Sequence, residues 1–89
     1  MIRLPQAFAV TIPADGRRMY RSRDWDDTLV VVERGTLELV CHDGRRLWFR
    51  RGEPLFLAGL PLRALRSGHD TATTLLCVRH RGAAADGRG

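Results

Sequence analysis

The dipeptide Asp43-Gly44 lies between two runs of alternating polarity, Thr36–His42 and Arg45–Arg50, and it constrains the chain more than any other feature. Asp-Gly supplies the positive backbone dihedrals of a type I′ turn, so the two runs are expected to form an antiparallel hairpin. Leu37, Leu39 and Cys41 then share one face, and Thr36, Glu38, Val40 and His42 share the other. On the returning strand Leu47 and Phe49 alternate with Arg46, Trp48 and Arg50. A ribbon with one apolar side has to lie over a core.

The rest of the chain follows the same rhythm. Gly and Pro interrupt it at short intervals, and no window holds apolar residues at helical spacing for three turns. Further strands are expected at Phe8–Ile12, Arg17–Ser22, Leu29–Glu33, Pro54–Ala58, Pro61–Arg66 and Thr71–Arg81, with Leu29–Glu33 apolar enough to be buried on both sides. Seven or eight short antiparallel strands make an all-β sandwich or small barrel. Its domain would span residues 1–81, and the small, polar segment 82–89 reads as a flexible tail.

At 89 residues the chain has room for one core, which excludes a multidomain enzyme. The longest aliphatic run, Leu29–Val32, is far short of the roughly 20 residues that cross a bilayer. No basic flank and apolar stretch of secretory length opens the sequence, so a soluble, cytoplasmic protein with free thiols at Cys41 and Cys77 is expected, without a membrane partner. All fifteen basic residues are arginine, and nine lie beyond residue 44 against three acids. That asymmetry permits attraction to acidic partners. The Arg pairs at 17–18, 45–46 and 50–51 lack interleaved aromatics, which argues against nucleic acid and for a solvated rim.

Gly16, Gly35 and Gly52, with Val30-Val31-Val32-Glu33-Arg34-Gly35-Thr36-Leu37-Glu38-Leu39 between them, form a pattern that over about residues 11–81 resembles the cupin superfamily. The resemblance implies a small jelly-roll β-barrel whose ligand enters between two sheets. In metal-binding cupins the first motif places two histidines and a glutamate between two glycines. With Gly16 and Gly35 as those glycines, the ligand positions fall on Ser22, Asp24 and Thr28. In the second motif, opened by Gly52, Ala58 and Leu60 replace a proline and a glycine, Arg63 stands at the histidine position and Ser67 at the asparagine. One carboxylate does not hold a transition metal, so the expectation is a cupin with no metal and no cofactor.

The positions carried over from the family suggest an Asp24–Arg63 pair in place of the ion. Arg63 would offer five fixed donors to an anionic ligand, and Asp24 a base or a hydrogen-bond anchor. Tyr20 and Trp48, on faces shared with arginine, join Ser22, Asp24, Thr28 and Arg63 as ligand-binding candidates, whereas Phe49 and Phe56 are assigned to the core. His42, His69 and His80 form no His-x-His, and Ser67-Gly68-His69-Asp70 reads as a capped turn. The expected function is binding of a small molecule, anionic ones included, as a sensor, carrier or accessory protein. The alternatives are a metal-independent isomerase, epimerase or cyclase using Asp24 and Arg63, and an interaction module, the reading that a filled interior would favour. So small a chain, with apolar strands that need cover on an outer face, is expected to form a homodimer.

Overall fold

The structure is a computed structural model, and it describes residues 5–80; the tail 82–89 lies outside them. Eight strands follow one another: β1 (Gln6–Ile12), β2 (Arg17–Met19), β3 (Thr28–Arg34), β4 (Leu37–Cys41), β5 (Arg46–Phe49), β6 (Pro54–Phe56), β7 (Leu62–Ser67) and β8 (Thr73–Arg79). A 3-10 helix, Ser22–Trp25, sits between β2 and β3, and the second strand, expected over Arg17–Ser22, ends at Met19. The strands form two four-stranded antiparallel sheets, in the orders β1-β8-β3-β6 and β2-β7-β4-β5. No strand pairing joins the sheets among the described residues, so the architecture is a sandwich and not a closed barrel. No helix there is long and apolar enough to cross a membrane.

Alternation places every second residue inside. Ile12, Val30, Val32, Leu75 and Cys77 come from the first sheet, and Leu37, Leu39, Cys41, Leu62 and Leu65 from the second; Trp25 and Leu57 join them, and all are buried. Each large side chain so removed from water contributes about 1.5–3 kcal/mol before the entropy of ordering is subtracted. Both cysteines are free thiols within this core.

The hairpin differs from its expected form by one residue. Only Gly44, at φ 92°, is left-handed in the turn; Asp43 is not. The Gly44 N–H donates to Cys41 O at 3.0 Å and the Cys41 N–H to Arg45 O at 2.8 Å, which makes a three-residue loop ending in a left-handed glycine. The Asp43 carboxylate accepts from the Arg45 backbone N–H at 3.0 Å, which holds its pKa below the ordinary carboxylate value. The register then pairs Leu39 with Leu47 and Glu38 with Trp48. A two-residue turn would have set Leu39 against Trp48 and mixed the two faces, so the burial pattern selects the longer loop.

Two other expectations change. β3 is buried on one face only: Val30 and Val32 are fully enclosed, while Leu29 and Val31 are half-buried. Phe49 packs against the core, but Phe56, assigned to the core from sequence, is 64% exposed, because β6 pairs with β3 so that Phe56 stands opposite Leu29 on the outer face.

Candidate functional site

The 3-10 helix is too short to bury a face of its own, and it is anchored by one residue. Trp25 is 2% exposed and belongs to the core. Around it lies an open hollow of about 340 Å³ that draws Phe8 and Val10 from β1, Arg18 from β2, Arg23 and Asp24 from the helix, and Arg79 from β8. It lies where β1 and β2, each the end strand of its sheet, come together.

Arginine dominates its chemistry. The Arg18 guanidinium stands 5.6 Å from the centroid of the Trp25 ring, and that of Arg79 stands 4.8 Å from Phe8. Arg79 is also tied down: its Nε donates to Thr28 Oγ1 at 2.9 Å and its Nη2 to the Asp24 carbonyl at 2.7 Å. Thr28 is fully buried and donates in turn to Asp26 O at 2.9 Å. Three arginines and one acidic residue, Asp24, thus line the hollow, and no ion pair engages the Asp24 carboxylate among the described residues. The Trp25 indole N–H is enclosed and has no acceptor. A buried donor of this kind costs about 1–3 kcal/mol, and the three arginines that line the hollow suit an anionic group. Beside Phe8 on the inner face, burial pushes the Cys77 thiol up, while Arg79 and Arg18 oppose the shift less strongly.

The residues singled out from sequence are not gathered in one place. Asp24 lines the hollow, and Thr28 supports it through Arg79. Tyr20 and Ser22 instead clamp the segment before β7: the Tyr20 hydroxyl donates to Leu57 O, and Ser22 Oγ accepts from the Gly59 N–H at 2.8 Å. Arg63 is the extra residue where Val40 pairs with Ala64 and Cys41 with Leu62, and this bulge leaves its side chain exposed. No Asp24–Arg63 ion pair forms. Trp48, 59% exposed, lies on the second sheet. Between the sheets the space is occupied by the core, so the hollow is at the edge of the sandwich and not within it.

Ser22, Asp24, Thr28 and Arg63 do not fit a metal ion, because they offer one carboxylate and a permanent cation. Among the described residues no three His, Cys, Asp or Glu side chains cluster as a metal site requires. Sequence reasoning missed Arg18, Arg23 and Arg79, since the contact between Arg79 and Asp24 spans 55 positions and follows from β8 lying beside both β1 and β3. Compared with known protein families, curated proteins and solved structures, the chain matches none.

Proposed function

We propose that this chain is a metal-independent, cupin-type jelly roll that binds a small anionic molecule at the Arg18–Arg23–Arg79 hollow, as a sensor, carrier or accessory protein. The observation that carries the reading is the open hollow lined by Arg18, Arg23 and Arg79, with Asp24 as its one acidic residue. The strand orders support the jelly roll, since each sheet interleaves early and late strands as paired Greek keys do. So do the glycines of the first motif: a Cβ would come within 2.7 Å of Pro13 O at Gly16 and within 2.5 Å of Ala72 O at Gly35. An enzymatic version would set Asp24 against Arg18 and Arg23 in the hollow, not against Arg63.

Thermal unfolding with a panel of small carboxylates and phosphates tests this. A ligand that binds only the folded state raises the melting temperature. At least one anion should do so in the wild type and fail to do so in an Arg18→Ala/Arg23→Ala double variant. No shift with any anion, or an equal shift in the variant, would defeat the reading.

The packed core favours an interaction role beside it, and the outer face of the first sheet supplies the surface. Ala7, Val78, Leu29 and Phe56 form one cross-strand row, and Ala9, Leu76, Val31 and Pro54 the next. Neither row contains a charge. A contiguous apolar face of this kind supports the homodimer expected from sequence.

A further inference from the structure

We propose that the outer face of the second sheet binds single-stranded nucleic acid, a role separate from the hollow and on different residues. In the sequence the arginine pairs have no aromatic partner; strand register supplies one. Arg17 pairs with Arg66, Arg66 with Glu38, and Glu38 with Trp48, a single row across all four strands. The neighbouring row runs Met19, Ala64, Val40, Arg46. Arg46 on the same strand and Arg66 and Arg17 farther along the row therefore share one face with an indole that is 59% exposed, and the one carboxylate in these two rows is Glu38.

Glu38 gives the face its specificity. It is 3% exposed although it points away from the core, because it lies beneath Arg46 and Arg66, whose Nε atoms stand 3.5 and 3.8 Å from its carboxylate oxygens. Its Oε2 is enclosed and makes no hydrogen bond. Its nearest charged partner is the Arg46 guanidinium, at ion-pair distance. The Arg46 side chain is more than half exposed, and by leaving its ion pair with Glu38 for a phosphate it would uncover that oxygen. A base stacked on Trp48, directly opposite, would bring an exocyclic amino group to it, as carboxylates accept from cytosine N4; thymine has no such donor. Arg17, Arg46 and Arg66 would take the phosphates, and the indole would supply the stacking platform that strand binders use.

Fluorescence anisotropy with end-labelled oligonucleotides of about 12 nucleotides tests this on the full chain. Oligo-dC and oligo-dA are expected to bind about tenfold more tightly than oligo-dT, and Glu38→Gln should erase that preference. Trp48→Ala should weaken every strand by about tenfold or more. The slope of log affinity against log salt should lie near −2, and Arg17→Ala should make it shallower by about 0.7. Trp48 and Arg17 are exposed, so Trp48→Ala and Arg17→Ala retain the fold. The proposal is overturned by no binding at low salt, by equal binding of duplex DNA with no effect of Trp48→Ala, or by cytidine monophosphate competing as strongly as the strand. None of these outcomes depends on the hollow.

Discussion

Arg79 reaches from β8 to the first residue of β3, and its Nε donates to the fully buried hydroxyl oxygen of Thr28 at 2.9 Å. The same guanidinium holds the Asp24 carbonyl, so one side chain fastens the 3-10 helix to the first sheet. Hydrogen bonds from a charged donor contribute about 1.5–3 kcal/mol. Arg79→Met is therefore expected to lower unfolding free energy by about 2 kcal/mol in urea and to abolish anion binding in the hollow. Thr28→Val should cost about 1 kcal/mol alone, and the double variant less than the sum of the two, because the residues share a bond. Strict additivity would show that the contact contributes nothing.

Two left-handed glycines separate backbone strain from crowding. Gly44 and Gly35 adopt φ of 92° and 76°, but a Cβ at Gly44 meets nothing within 4 Å, whereas at Gly35 it meets Ala72 O at 2.5 Å. Gly44→Ala should cost about 1 kcal/mol, the strain of the conformation alone. Gly35→Ala has to move the backbone before β8 as well, and is expected to cost more than about 2 kcal/mol or prevent folding. Equal costs in chemical denaturation would refute the distinction.

The strands were legible because each lies between turn residues, and because alternation such as Leu37-Glu38-Leu39 states which side is inside. Register was not: the difference between a two- and a three-residue loop at Asp43-Gly44 is one residue, and only the core fixes it. The 3-10 helix was hidden because a single turn, Ser22-Arg23-Asp24-Trp25, has no periodicity to detect. Asp24 and Thr28 were singled out through their positions in a motif. Arg18 and Arg79 were not, since nothing local distinguishes an arginine stacked on a ring from one in solvent. The same limit hid the row that joins Arg17 to Trp48, which exists only once β2, β7, β4 and β5 are paired.

Burial raises the Cys77 pKa, so the folded chain keeps a proton that the unfolded chain releases above the ordinary thiol value of about 8.5. Unfolding is then favoured as pH rises: the stability is fully present below that value and declines through the window above it. Urea midpoints measured from pH 7 to about 9.5 should fall in the wild type and fall less steeply in Cys77→Ala, whatever the variant's absolute stability. Identical slopes would remove Cys77 as the cause.

The outer face of the first sheet should bury itself against a second copy. Phe56 is 64% exposed and Leu76 40%, and with Leu29, Val31 and Val78 they cover three strands, about 10 Å across at a spacing of about 4.8 Å. β3 begins beside Asp26 and Asp27 and ends at Arg34, so a two-fold axis lying between the two facing sheets and perpendicular to the strands sets the acidic end of one copy over the basic end of the other. Single exposed substitutions of this kind change monomer stability by only about 0.5 kcal/mol. Phe56→Asp and Leu76→Arg should therefore convert a dimer to a folded monomer in sedimentation at roughly tens of micromolar, where subunit contact is set by mass action. A wild-type monomer at that concentration, or variants that remain dimeric, would show that this face is not where two copies meet.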